Sequence, residues 1–364
     1  MYAISSKASW TNWAGTVQSE PADFLNPASI EEVQMLVLRA KEERRSIRVI
    51  GAGHSFTPIA ATSDWLVSLD QLTGVVEITD QGTVEVLAGT RLYDLAAQLN
   101  KVGLAQENLG DINTQSIAGA ISTGTHGTGI EFGNLSSQIV ELTLVTASGV
   151  LLTLTPEHHP VLFYASLVSL GTLGIIVSVR LRTVERPIYH YESTKMAFDS
   201  LIPQIGKLIK ENRHFECFLF PYSDSVQLKK MNESTEKPQR LATHRLATTL
   251  TENYMFYFIS ELCRMRPQTS RFFSRLSAKA IGTTSIHAAS VDLFATPRLV
   301  RFREMEYAIP LEHLQKALVR IKRVIEDSNF GVHFPIEVRM VKGDKIWLSL
   351  HIIVILLISP FICT

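Results

Sequence analysis

The chain has 364 residues, enough for two domains with substantial cores, and its 46% hydrophobic and 19% charged residues exclude a disordered chain. Lys+Arg and Asp+Glu both number 35, so no net field favours nucleic acid as a partner. Cys217, Cys263 and Cys363 have no metal-ligand spacing and cannot build a disulfide framework, and residues 1–16 contain no apolar signal core, so a reducing, cytoplasmic setting is expected.

The first element in chain order is a helix. Ser29-Ile30-Glu31-Glu32 has capping-box spacing, Ile30, Val33, Val37 and Ala40 recur at helical intervals, and a charged run at 41–45 closes the segment. Arg48-Val49-Ile50 then reads as a buried strand that opens the segment 48–58, R-V-I-G-A-G-H-S-F-T-P. Gly51-Ala52-Gly53 lets the backbone turn tightly and approach a ligand, with His54 and Ser55 at the tip. Taken alone the segment stays ambiguous. For the segment alone a glycine turn with a surface histidine is the better reading, and a G-x-G-x-x-G dinucleotide loop fails because Phe56 replaces the third glycine and Thr57-Pro58 opens no helix.

Short β-type runs follow at 65–69, 75–79 and 83–88, the last two joined by Asp80-Gln81-Gly82. Leu92, Leu95, Ala96, Leu99 and Val102 mark a second helix closed by Gly103. A second glycine-rich stretch, 109–129, reads L-G-D-I-N-T-Q-S-I-A-G-A-I-S-T-G-T-H-G-T-G. Its glycines free backbone N–H groups and its serines and threonines add donors, a combination suited to a pyrophosphate. It lacks the Gly-Lys-Ser/Thr of a P-loop. A solvated linker would not interleave Ile117, Ala118, Ala120 and Ile121, so a ligand cradle is preferred. Gly171-Thr172-Leu173-Gly174-Ile175 offers a third close approach at the start of a strand.

A hairpin at 138–146 and 150–155 and a strand at 173–183, ended by Pro187, complete an α+β region without regular βαβ repeats. Glycine then thins out, which places a domain boundary near 185–190. Residues 237–275 are basic and interleaved with aromatics; at zero net charge an amphipathic helical region with solvated arginines is the expectation. His158-His159-Pro160 reads as loop surface rather than a metal site. In H-F-P-I-E-V-R-M-V, residues 333–341, Glu337 and Arg339 are two apart on an apolar strand and share a face. From the residues alone that is a structural ion pair.

G-A-G-H-S-F-T-P followed by Q-S-I-A-G-A-I-S-T-G-T-H-G-T-G resembles the flavin domain of the vanillyl-alcohol-oxidase-type (PCMH-type) FAD oxidoreductases, and within them the sugar-1,4-lactone and alditol oxidases. T-N-W-A-G at 11–15 and R-F-R-E-M-E-Y-A-I-P at 301–310 are similar to the same proteins. The resemblance implies an α+β fold: a two-subdomain FAD-binding domain over 1–187, then an α+β substrate domain with an antiparallel sheet over 188–349. It implies FAD tethered covalently through His54, with Ala52, Gly53 and Ser55 cradling the pyrophosphate and Phe56 in the same turn. Ser116, Gly119, Ala120, Thr123, Gly124 and His126 would line the rest of the cofactor, Ser116 on the substrate side, and Ile175 would contact it through its main chain. Glu337 and Arg339 would belong to the active site, Arg339 stabilising negative charge and Glu337 serving the substrate hydroxyl. The implied reaction is oxidation of an alcohol group of a sugar-1,4-lactone of the D-arabinono type, or of an alditol, with molecular oxygen giving hydrogen peroxide.

The likeness stops after Leu348, where such proteins continue to a His-Trp-x-Lys motif. Residues 350–364 are nearly all apolar. They read as an aberrant tail of a truncated or frame-shifted product, with exposed apolar surface that invites aggregation. A flavin-binding protein without turnover is therefore an alternative. Residues 352–358 fall short of the roughly 20 needed to span a bilayer, which leaves loose peripheral membrane contact open.

Overall fold

The computed structural model of the chain describes residues 9–239, 256–295, 300–328 and 330–349, with Phe256 and 353–359 described in their backbone only. Cys363 and the 240–255 part of the basic aromatic region lie outside these residues. Two compact units emerge, one of Met1–His126, Asn134–Arg186 and Asp344–Ser349, the other of Gly127–Gly133, Pro187–Gly343 and Leu350–Thr364. The units are thus discontinuous in sequence, unlike the contiguous 1–187 and 188–349 expected.

After a short antiparallel pair, Trp10–Thr11 with Gln18–Ser19, the first unit continues with β1 (Asp23–Leu25), α1 (Ile30–Glu42), β2 (Ile47–Ile50) and β3 (Trp65–Ser68). Ser29 caps α1 by accepting from Glu32 N, while the Glu32 carboxylate turns back to Ala28 N. The three strands form a parallel sheet in the order β1-β3-β2. Central β3 is buried throughout, as a parallel strand covered on both faces must be. The expectation of a buried strand at 48–50 needs correction. β2 is an edge strand, and its Arg48 and Val49 are exposed because they line a cavity.

β4 (Val75–Ile78), β5 (Thr83–Leu87), α2 (Leu92–Lys101), α3 (Ile117–Ser122), β6 (Ile139–Val145), β7 (Leu151–Leu154), α4 (Pro160–Leu167) and β8 (Ile175–Arg182) follow. Their strands make an antiparallel sheet ordered β7-β6-β8-β5-β4. Alternation sorts its faces. Val84, Val86, Val177 and Val179 join the core with Leu92, Leu95 and Leu99 of α2 and Ile117 and Ile121 of α3. On the other face Arg180 meets Glu77 at 2.9 Å and Glu85 at 2.8 Å. The cradle expected over 109–129 is divided: 117–122 form a helix of the first unit, whereas 127–129 belong to the second, where Gly129 N donates to Met340 O.

The second unit contains β9 (Ile188–Ala197), α5 (Phe198–Glu211), β10 (His214–Leu219), β11 (Ser225–Glu233), α6 (Phe256–Met265), α7 (Ser270–Ala280), β12 (Thr284–Ala289), β13 (Arg303–Ile309), α8 (Leu314–Asp327), β14 (Ile336–Met340) and β15 (Ile353–Ser359). All strands pair antiparallel in one sheet, β12-β9-β11-β10-β14-β15-β13. Leu201, Ile205 and Ile209 of α5 and Leu314 and Leu318 of α8 pack on one face against Phe215, Cys217, Leu219, Ile336 and Val338. Phe218 and Phe220 pack on Ala278 of α7, from the opposite side of β10.

The expected aberrant tail is also corrected. The backbone of 353–359 is an interior strand, paired with Arg303–Ile309 on one side and Ile336–Met340 on the other. Ladder hydrogen bonds on both sides take up its N–H and C=O groups, so this part is not a free apolar tail. Among the described residues no helix is long and apolar enough to cross a membrane, and no group of three or more His, Cys, Asp or Glu side chains could hold a metal ion. Cys217 and Cys263 are buried thiols, and burial pushes the pKa of both above the ordinary thiol value.

Candidate functional site

The first unit encloses a cavity of about 510 Å³, within the range of small-molecule and cofactor sites. The turn 51–55 runs along it, and the N-terminal T-N-W-A-G segment braces that turn. Trp13 N donates to Gly53 O at 2.8 Å, and Asn12 Nδ2 donates to Ser55 O at 3.0 Å. Asn12 Oδ1 closes its own loop by accepting from Thr16 N and Val17 N. Gly53 has φ 68°, a left-handed conformation that explains glycine there.

Opposite stands α3. Ser116 caps it by accepting from Gly119 N, and a Cβ on Gly51 would lie 2.4 Å from Ser116 Oγ. The third approach, 170–176, lines the cavity as well; Gly174 has φ 150°, and a Cβ there would meet Val145 O at 2.5 Å. Three backbone segments therefore line the cavity, and at Gly51 and Gly174 they pack so closely on Ser116 and Val145 that a side chain would not fit.

Of the residues proposed for the cofactor, Ala52, Gly53, His54, Ser55, Ser116, Gly119, Thr123 and Ile175 line this cavity, and Phe56, Ala120, Gly124 and His126 do not. Ala120 is fully buried in the core instead, and His126 is buried away from the cavity wall. Wall residues with no recognisable signal in the sequence include Lys41 and Arg45 of the charged run, Gly89, and Thr146-Ala147 of the hairpin turn. They arrive from elements distant in sequence, which only the fold brings together.

The His54 ring is stacked on Trp13 at 4.8 Å, and its Nε2 lies 2.8 Å from Thr114 Oγ1. Its Nδ1 is buried with no hydrogen-bond partner. Burial, with the Arg91 charge adding to it, lowers the His54 pKa to about 4, so the ring is a neutral imidazole near pH 7. An orphaned ring nitrogen, backbone segments that only glycine fits, hydroxyls and cations suited to phosphate, and apolar walls such as Val49, Leu173 and Ile175 together fit FAD. Ala52, Gly53 and Ser55 with Ser116, Gly119 and Thr123 would hold it.

The second unit carries its own polar cluster. Arg339 Nη2 lies 2.5 Å from Glu337 Oε1, and Arg339 Nε lies 3.3 Å from Glu216 Oε2. Lys229 continues it, 3.4 Å from Glu216 and over the Phe218 ring at 4.3 Å. Glu337 is 3% and Arg339 6% exposed. Strand pairing sets Glu216 directly opposite Arg339, and alternation keeps the cluster off the face that packs on α5 and α8. Glu216 and Lys229 are additions that strand register alone reveals.

Residues 21–155 match the family model of an FAD binding domain, and 179–353 match that of D-arabinono-1,4-lactone oxidase. The chain is 35% identical over 342 residues to an L-gulono-1,4-lactone dehydrogenase of Mycobacterium tuberculosis, covering 93% of this chain and 79% of that protein. It is 35% identical to a D-arabinono-1,4-lactone oxidase of Yarrowia lipolytica, over 90% of this chain and 66% of that one, and 31% identical to the L-gulonolactone oxidase of Bos taurus, over 93% and 78%. Among solved structures, cholesterol oxidase from B. sterolicum aligns with TM-score 0.79 at 18% identity, covering 99% of this chain and 80% of that one, a likeness of fold. The chain therefore belongs to the FAD-binding sugar-1,4-lactone oxidoreductase family, whose members similar to it are oxidases and dehydrogenases.

Proposed function

We propose that the protein oxidises an alcohol group of a sugar-1,4-lactone, passing the hydride to FAD, with molecular oxygen reoxidising the flavin and yielding hydrogen peroxide. The observation that carries this reading is the His54 cavity, built to fit FAD, in a chain whose relatives act on 1,4-lactones. A bound isoalloxazine supplies the two-electron acceptor. The protein's part is to bind, orient and move protons. We assign the buried cluster of the second unit to the substrate: Arg339 holds lactone oxygens through charge-assisted hydrogen bonds, and Glu337 takes the proton of the hydroxyl being oxidised. Burying an ion pair gains little stability over apolar packing, which favours a functional reason for this one. Ser116 serves the cofactor side of the substrate, and His54 tethers the flavin.

Steady-state peroxide release tests the reading with D-arabinono-, L-gulono- and L-galactono-1,4-lactone and with alditols. Peroxide from a lactone supports it, and peroxide only from alditols replaces the substrate. Lactone-dependent reduction of a dye without peroxide replaces oxygen by another acceptor. Bound flavin that no substrate reduces leaves a flavin-binding protein without turnover.

A further inference from the structure

We propose that Thr114, anchored by Asp70 through Arg91, is a positioning residue that fixes His54 as its Nε2–H tautomer and leaves Nδ1 as the ring nitrogen offered to the cofactor. The inference rests on the FAD reading above and concerns Thr114 and Arg91, which do not themselves line the cavity, and their contacts to His54 and Asp70, which do.

The geometry is a short relay within the first unit. His54 Nε2 lies 2.8 Å from Thr114 Oγ1. Arg91 Nη1 donates to Thr114 O at 3.1 Å, and Arg91 Nη2 donates to Asp70 Oδ1 at 2.6 Å. The backbone supports the same contact, with Leu92 N donating to Gln115 O and Tyr93 N donating to Asn113 O, both at 2.9 Å. Trp13 stacks on the imidazole and holds its plane.

A neutral imidazole in this setting has two proton arrangements. If Nε2–H donates to Thr114 Oγ1, the buried Nδ1 carries a lone pair. In the reverse arrangement a buried Nδ1–H has no acceptor, and orphaned N–H groups are the rarer kind. The imidazolium is disfavoured by burial and by Arg91. The relay therefore selects the form whose lone pair is on Nδ1.

Tethering then balances as follows. One C–N bond forms between Nδ1 and the 8α carbon, and one C–H bond of that carbon and the Nε2–H bond break. Two protons leave, and the electron pair passes through the flavin to dioxygen, giving hydrogen peroxide. A hydroxyl suits this sequence better than a carbonyl would. Thr114 Oγ1 accepts from Nε2–H beforehand and donates to the Nε2 lone pair afterwards.

The test uses full-length protein as purified. Thr114 is exposed, so its variants leave the core intact. In Thr114→Val the acid-stable fraction of bound flavin falls roughly tenfold, the order expected for losing one hydrogen bond, with total FAD unchanged; Thr114→Ser keeps it. NMR of protein labelled with ¹⁵N-histidine, with His54→Ala for assignment, shows which ring nitrogen bears carbon or hydrogen. A flavin bond to Nδ1 is expected. A bond to Nε2, or undiminished acid-stable flavin in Thr114→Val, overturns the proposal. Should the wild type bind FAD with none acid-stable, the tether reading falls, and the proton decides the rest: Nε2–H that is lost in Thr114→Val supports the positioning role, and Nδ1–H overturns it.

Discussion

Gly51 and Ser116 stand so close that a Cβ on Gly51 would lie 2.4 Å from Ser116 Oγ, although 65 positions separate them in the chain. The contact joins the two glycine-rich stretches into one cavity wall, and Ser116 meets it with the same oxygen that caps α3. In Gly51→Ala the Ser116 side chain must rotate away and give up the cap, costing about 1–2 kcal/mol. Thermal melting and FAD titration of Gly51→Ala should show both lower stability and weaker binding. Adding Ser116→Ala should be less damaging than the sum of the two changes, since one atom causes both effects. Strict additivity would show that the contact is not the cause.

Three histidines are held neutral by the fold. Burial lowers His54, His214 and His333 from 6.5 to about 4 each, with Arg91 adding to the effect on His54. Because the folded value lies below the unfolded one, the folded chain binds fewer protons between about 4 and 6.5. Their contribution to stability is full above 6.5 and is lost as pH falls toward 4. NMR titration of the histidine ring signals should show these three without a midpoint near 6.5 in the folded protein, and with one near 6.5 once the chain is unfolded in denaturant.

Arg339 pairs with two carboxylates at once, buried Glu337 and partly buried Glu216. Arg339→Leu should destabilise the second unit by about 3–5 kcal/mol, because it removes the cation paired with buried Glu337, while Glu216 keeps Lys229. Arg339→Leu with Glu337→Leu should recover part of the loss in chemical denaturation. If Arg339→Leu alone is neutral in stability, the cluster is not held by these ion pairs.

Ile353–Ser359 separates β14 from β13 in the sheet. A chain ending at Ser349 would leave both as long unpaired edges, which template intermolecular pairing. Light scattering should report aggregation of that shortened chain, and Ile355→Pro, which removes a ladder donor from an interior strand, should reproduce much of it. A monodisperse shortened chain would show that the strand is dispensable.

Local patterns carried much of this molecule. The Ser29 cap, the turn at Gly82, the helix ended before Gly103, the hairpin around Gly149 and the shared face of Glu337 and Arg339 follow from periods and φ preferences that act over a few residues. The second glycine-rich stretch reads as a ligand cradle from its residues, whereas the first stays ambiguous by itself. Other features depend on which distant segments meet. That Thr114 touches His54, that Asn12 and Trp13 brace the turn carrying it, and that Glu216 faces Arg339 are matters of strand register and loop closure. The apolar run at 353–359 is the clearest case. Its composition suits an exposed tail and an interior strand equally, and only the presence of β13 and β14 on either side, with backbone groups left to pair, makes it a strand.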